Sequence, residues 1–406
     1  MFHTTPITIL RNESGQVLVL SALTMTCLLG LLGFATDVGT LLVERREMQT
    51  ATDSAAIAGA AEAKYAVADG TTVAAVAKAA AAQNGFTDGS NGVTITVNGT
   101  TGPLHGPNIG KSNYVEVIIQ ESAPVFFMKL FGFGSMNVAA RAVAGQTPSK
   151  NCIYSLGPSG TDISITGSAT LTLAGCNMLV DSSSPSAVSD VGSAIITANS
   201  VGIVGGYSIT GPGSISPAPV TGMTAVGDPL SYLPEPTIPG TCSSAVTFSG
   251  SSTYALSPGC YAGLSVTGSG TLNLSPGLYI FTGNVSLSGS SIINGTGVTL
   301  YTTGGTRMTG SGVMNLTAPT SGTYNGILFF QSRTDTQSIS FTGSAGANVQ
   351  GIIYAPSAGL NFAGSGSGNF YASIVTKSLS LTGNPTIQDS SVVNSSTPLS
   401  YAKLAE

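Results

Sequence analysis

TGSGTLNL (267–274), LSGSSIIN (287–294) and TGSGVMNL (309–316) decide the fold, together with TGSAGANV (342–349), AGSGSGNF (363–370) and TGNPTI (382–387). Their glycines, Gly268, Gly289, Gly310, Gly343, Gly364 and Gly383, are separated by 21, 21, 33, 21 and 19 residues. Weaker copies occur at Gly167 (TGSATLTL), Gly192 (VGSAII) and Gly211 (TGPGSI), 25 and 19 residues apart. A near-constant period of this length, carrying three short alternating strands, predicts the coils of a parallel β-helix. Each coil then hides its inward residues against the coils above and below, with glycine at corners where positive φ is cheap. Ser, Thr and Asn beside the glycines can satisfy turn backbone groups or stack in ladders. An antiparallel sandwich or jelly roll has similar turn spacing; the constancy over consecutive units favours the solenoid.

The repeat block runs over 151–391, with a Pro-rich interruption at 213–240 (GSISPAPVTGMTAVGDPLSYLPEPTIPG). Its four cysteines fit the same picture. Cys152 and Cys176 are 24 residues apart, and Cys242 and Cys260 are 18 apart, about one coil in each case. Stacked residues on neighbouring coils have Cα atoms about 4.8 Å apart, within disulfide range. The predicted pairs are Cys152–Cys176 and Cys242–Cys260. The four lack the close spacing of a zinc site, and free buried thiols are the other reading. Residues 392–406 read as a frayed tail.

N-terminal to the repeats the sequence changes character twice. Residues 93–150 predict a small α+β module. VTITV (93–97), YVEVIIQ (114–120) and MNVAARAVAG (136–145) alternate like strands, and APVFFMKLFGF (123–133) reads as a short helix. Before it, 37–92 is an extended Ala-rich helix with Gly70 as an interruption. The small residues Ala55, Ala56, Ala58, Gly59 and Ala60 suit close helix approach.

Residues 17–36 predict a transmembrane helix behind a cytoplasmic leader, 1–16. From Val17 to Ala35 no charge occurs, and about 20 such residues cross a bilayer. A cleaved signal peptide would need a shorter apolar core and a small-residue cleavage site; here helical sequence continues past Thr36 and Asp37. Arg11 flanks the run on one side, Arg45 and Arg46 on the other, which leans towards a cytoplasmic C-terminal side. The disulfides predict the opposite, an oxidising compartment, and four thiols outweigh a difference of one charge. The expected class is therefore mainly β with an N-terminal α-helix: one transmembrane helix, a small α+β module and a parallel β-helix.

The chain offers little for catalysis. Only 8% of its residues are charged, against about 25% in an ordinary globular protein. Residues 151–406 hold four cations, Arg307, Arg333, Lys377 and Lys403, and eight scattered acids. Asp335 beside Arg333 is the one local pairing, read as a solvated loop. His3 and His105 have no partner at ligand spacing, and no P-loop or GxSxG elbow occurs. No catalytic residue, metal site or cofactor is predicted. A net charge of −5 gives no reason to expect nucleic acid.

ESGQ (13–16), the apolar run, ATDVGTLLVERREMQ (35–49) and ATDSAAIAGAA (51–61) resemble the TadE/TadG-like pilus-assembly family of the tight-adherence (Flp) system. Asp37, Gly39, Gln49, Asp53 and Ala55 match the pattern, and the 93–146 segment resembles the strand-helix-strand module that often follows. The resemblance implies a single-pass bacterial cell-membrane protein with its bulk periplasmic or extracellular. Its expected partners are inner-membrane lipid and other Tad/Flp assembly proteins or cell wall. Two departures narrow this. Gly15 is followed by Gln16-Val17-Leu18-Val19-Leu20, without the glutamate of a type IV prepilin, and no Asp-x-Ser-x-Ser metal motif is present. The expected function is a non-enzymatic assembly or surface-attachment component displaying the β-helix. The alternative is an anchored binder of polysaccharide or ice. LSPGLYIF (274–281) loosely resembles bacterial ice-binding β-helices, but Thr267, Thr309 and Thr342 form no sustained T-x-T array.

Overall fold

A computed structural model describes residues 14–63, 70–99, 101–344, 346–365, 367–370, 373–389 and 400–406. The expected leader lies outside these residues as far as residue 13, and the expected tail as far as 399. The chain forms two compact units, Met1–Thr147 with Tyr401–Glu406, and Pro148–Ser400.

In the first unit, α1 (Ser14–Glu62) is a single 49-residue helix with two regimes. From Val17 to Thr36 its side chains are exposed all round except at Gly33, and the segment is long and apolar enough to cross a membrane. Further along, Met48, Ala51, Ala55, Ala56 and Ala60 are fully buried. The Ala-rich stretch expected as one extended helix over 37–92, interrupted at Gly70, forms two helices that pack together: α2 (Gly70–Gln83) lies on α1 through Val73, Ala77 and Ala81. Gly70 is a poor place to continue a helix, and packing the two alanine stripes together removes apolar surface from water.

The helices cover one face of a four-stranded sheet. Its antiparallel core is β1 (Thr94–Asn98), β2 (Tyr114–Pro124) and β3 (Ser135–Pro148). Val115, Val117, Ile119, Ala140, Ala142 and Ala144 supply the buried face. The fourth strand, beside β3, is Ser400–Leu404. The final residues are thus part of a sheet, not a frayed end. The stretch 123–133, read as a short helix, gives only one 3-10 turn, Met128–Phe131, at the tip of the β2–β3 hairpin.

The second unit is a parallel β-solenoid of about 11 turns. Three strands make a coil, as in Leu264–Val266, Thr271–Leu274 and Gly277–Phe281, and every solenoid pairing is parallel. Inward side chains form columns, for example Leu272, Ile293, Met314 and Ala347. Phe341 stacks on Phe362 of the next coil with ring centroids 4.9 Å apart.

The coils are not stacked in chain order. Gly383 of the last coil pairs with Gly167 of the first block, and Thr386 with Thr170. Along the axis the corner glycines run Gly268, Gly289, Gly310, Gly343, Gly364, Gly383, Gly167, Gly192, Gly211. The chain builds its first coils, travels to the far end, and fills the solenoid back until the last coil meets the first. Residues 217–245 make the journey as a strap, which bridges Val220 to Gly202 at one end and Ser243 to Tyr261 at the other. The nine strands it crosses, from Ser200–Ile203 to Gly259–Tyr261, span about 38 Å at 4.8 Å each. That is within reach of some 23 residues even when not fully extended.

Gly343 shows why the repeat needs glycine. Its φ is +95°, and a Cβ there would stand 2.7 Å from the carbonyl oxygen of Gly310. Gly343→Ala is expected to cost the solenoid about 1–3 kcal/mol, read as a lower denaturant midpoint. Gly322, with φ +85° but open space around it, is the comparison: Gly322→Ala should cost about 1 kcal/mol from the backbone alone. Equal effects would argue against a tight glycine column.

Candidate functional site

The five family-pattern residues do not converge on one centre. Asp37, fully buried on α1, accepts hydrogen bonds from the backbone N–H groups of Phe126, Phe127 and Met128 at 3.0, 2.8 and 2.6 Å. It thereby holds the β2–β3 tip against the helix. Gly39 is exposed, with open space where a Cβ would stand. Gln49 donates to Asp53 Oδ1 at 2.7 Å and to the carbonyl of Arg141 on β3 at 3.2 Å, so this pair ties helix to sheet. Ala55 lies in the core between α1, α2 and the sheet. Asp37, Gln49, Asp53 and Ala55 thus brace the module, while Gly39 makes no such contact.

The strongest electrostatic centre of the first unit was not anticipated. Glu116 on β2 has a fully buried side chain that accepts from Arg141 Nε at 2.6 Å, Asn98 Nδ2 at 2.8 Å and the Leu104 N–H at 2.9 Å. His105 Nδ1 stands 3.2 Å away. Burial alone would raise its pKa, but the Leu104 amide, Arg141, Asn98 and His105 more than offset this and hold it at about 2. Arg141 also binds Glu406 at 2.8 Å, which fastens the C-terminal strand. The network consumes its charges internally.

In the solenoid, the two irregularities of the repeat meet. The 33-residue gap carries Arg333, and the Pro-rich strap carries Asp228, Leu230, Leu233 and Glu235. Arg333 donates to the carbonyls of Leu230 and Leu233 at 2.9 and 2.7 Å and to Tyr354 Oη at 2.8 Å. Its guanidinium lies 5.4 Å from the Phe330 ring centre and 5.3 Å from that of Tyr354. Tyr354 donates to Asp228 at 2.6 Å; Tyr301 and the Arg333 amide donate to Glu235, both at 2.8 Å. Burial and, second, Asp228 push the Tyr354 hydroxyl well above its usual range. Leu230 and Leu233 are buried among Ile280, Tyr301, Phe330 and Tyr354. The expectation of a solvated Arg333–Asp335 pairing is corrected: Arg333 is a clasp, and Asp335 accepts instead from Gln331 at 2.8 Å.

The two disulfides, Cys152–Cys176 and Cys242–Cys260, join residues 24 and 18 apart with Cα separations of 5.7 and 4.8 Å. Each staples a coil at an end of the strap's path or beside the chain's entry. Asp162 is pushed far upward, to about 7, by burial; it accepts from Ser155 Oγ, and among the described residues no second carboxylate is in hydrogen-bond contact with it. Among the described residues no three His, Cys, Asp or Glu side chains gather as a metal site.

What the solenoid presents outwards is periodic and, apart from Arg307, made of small polar residues along its main column. One column runs Thr247, Ser265, Ser286, Arg307, Ser340, Asn361, Ser380, Ser164, Ser189, Ser208. Two residues along each strand, Thr309, Thr342, Ala363, Thr382, Thr166, Val191 and Thr210 align beside it. On the ten-stranded face Asn273, Asn294, Asn315 and Asn348 form a ladder with amide hydrogen bonds of 3.0–3.2 Å. In place of a T-x-T array the stacked coils give Ser-x-Thr at 340/342, 380/382, 164/166 and 208/210, interrupted by Arg307, by Asn361 with Ala363 and by Val191; stacking Gly383 on Gly167 joins its two halves.

Three family models match the chain. An Flp pilus-assembly TadE/G-like model covers residues 15–62, a Tad-like Flp pilus-assembly model covers 49–144, and a domain of unknown function (DUF7305) covers 246–391. No curated protein and no solved structure matches.

Proposed function

We propose, for a chain whose N-terminal part matches the TadE/G-like Flp pilus-assembly family over residues 15–62 and a Tad-like Flp pilus-assembly model over 49–144, that it is a non-enzymatic, membrane-anchored component of that system which displays its β-solenoid outside the cytoplasm. The observation that carries this is the continuity of α1. The same helix supplies the apolar span, Val17–Ala35, and the buried Met48–Ala60 stripe of the family module. The module is therefore fixed to the membrane without a linker. The two disulfides support an oxidising compartment for the solenoid. The scarcity of converging ionisable groups supports a display role over catalysis. Its partners would be inner-membrane lipid and either other Tad/Flp components or cell wall.

The test is deletion of the gene, complemented by a chain lacking 151–391. Loss of Flp pili on deletion, with surface attachment restored only by the full chain, is the expected result. Normal piliation and attachment in the deletion strain, or hydrolase or lyase activity in the purified protein, would overturn the proposal. A second reading is favoured by the Ser-x-Thr and Asn columns. Evenly spaced hydrogen-bonding groups, nearly all of them uncharged, suit a polymeric ligand of matching repeat, polysaccharide or ice. Retention of the protein by such a ligand in a strain with normal pili would favour it.

A further inference from the structure

The β2–β3 tip carries five exposed large apolar side chains in eight positions, Phe126, Phe127, Leu130, Phe131 and Phe133, with Met128 half-buried among them. Leu130 is 83% exposed, Phe131 75% and Phe126 70%. Apolar groups of this size each gain roughly 1.5–3 kcal/mol on leaving water, and a soluble surface rarely clusters them. The tip is nevertheless held in place. Asp37 binds three of its amides, and Gly33 allows the Phe127 ring to lie on the helix: a Cβ there would stand 2.5 Å from the ring.

The position of this bracket is informative. Gly33 and Asp37 lie 16 and 20 residues beyond Val17, about 24 and 30 Å along the helix axis. The hydrocarbon core of a bilayer is about 30 Å thick. The tip is therefore docked where the span emerges from hydrocarbon, and Leu31, Leu32 and Phe34, on either side of Gly33 in the helix, are exposed as its own rings are. Lys129 is the one charged residue of 123–133, placed to reach headgroups from an otherwise apolar loop.

We propose that the 125–133 tip is a second membrane-contacting element, a wedge that enters the lipid interface beside α1. Phe126, Leu130 and Phe131 lie among the upper acyl chains and Lys129 at the phosphates. The wedge gives the anchor two contacts with the bilayer, which fixes the rotation and tilt of α1 and the height of the module. Asp37 has a matching role. A carboxylate at the edge of hydrocarbon is costly unless its oxygens are satisfied, and the tip's amides satisfy them. The inference rests on reading α1 as a membrane anchor.

The chain contains no tryptophan, so a single introduced one reports its own surroundings. Full-length Phe131→Trp is reconstituted in phosphatidylcholine–phosphatidylglycerol vesicles containing lipids brominated at shallow or deep acyl positions. Leu31→Trp reports the span, and Tyr401→Trp the module's far strand. The expected result is blue-shifted emission from residue 131, quenched by shallow bromines as strongly as residue 31 is, while residue 401 is quenched only by aqueous acrylamide. Quenching at 31 but not at 131, with 131 open to acrylamide, overturns the wedge and leaves the anchor standing. Quenching at neither position overturns the anchor itself. Phe133→Trp is the second reporter should Phe131→Trp fold poorly, and the same outcomes decide it.

Discussion

Replacing Arg333 with alanine is expected to loosen the 217–245 strap and speed hydrogen exchange at the Leu230 and Leu233 amides about 100-fold or more, the scale of breaking a half-buried ion network. The guanidinium holds two strap carbonyls and Tyr354, and the same loop's amide holds Glu235. Removing it strands those carbonyls and leaves Asp228 and Glu235 facing each other's neighbourhood without a cation. Because a solenoid's stability is summed over nearest neighbours, the effect should stay near the strap and the coils at Phe330 and Tyr354. Arg333→Lys keeps the charge but loses the fork and the ring stacking, so it should recover only part of the protection. Unchanged exchange in Arg333→Ala would mean that burial of Leu230 and Leu233 alone fixes the strap.

Acid should act mainly on the other unit. Glu116 has a folded-state pKa of about 2, against 4.5 unperturbed. A depressed carboxyl pKa contributes stability above the unfolded value and loses it as the pH falls towards the folded one. The window here is about pH 4.5 down to pH 2. The loss amounts to roughly 2–3 kcal/mol for the first unit. It would be measured as the denaturant midpoint of the detergent-solubilised chain, followed with a fluorophore in the 101–111 loop, which Glu116 holds through the Leu104 amide. Glu116→Gln should lower the midpoint at pH 7 and flatten its dependence between pH 5 and 2. A wild-type midpoint that stays level across that range would show that the network contributes nothing.

Much of this architecture is legible in the residues because a solenoid gives each coil the same environment. Gly268, Gly289 and Gly310 recur because each occupies the same cramped corner, and Leu272, Ile293 and Met314 because each faces the same interior. The order of the coils is not legible for the same reason. Gly383 meets Gly167 with the pairing that Gly364 uses to meet Gly383, so a repeat carries no mark of its rank along the axis. The strap's clasp is hidden because Arg333 and Glu235 are 98 residues apart and both lie where the period breaks.

In the first unit, the apolar run and its family resemblance locate the anchor. Composition does not disclose that α2 turns back, since an alanine stripe suits one long helix or two packed ones. Nor does it place residues 126–133, whose apolar side chains suggest burial yet stand exposed. The role of Asp37 is likewise tertiary: it depends on amides about 90 residues away.

The central claim is that one helix anchors the chain and holds the solenoid outside the cytoplasm. Protease added to intact spheroplasts, combined with alkylation of thiols before and after reduction, tests it most directly. The account predicts that the 151–391 region is digested without membrane lysis, and that Cys152, Cys176, Cys242 and Cys260 react only after reduction. A solenoid protected until the membrane is opened, with its four thiols free, would contradict it.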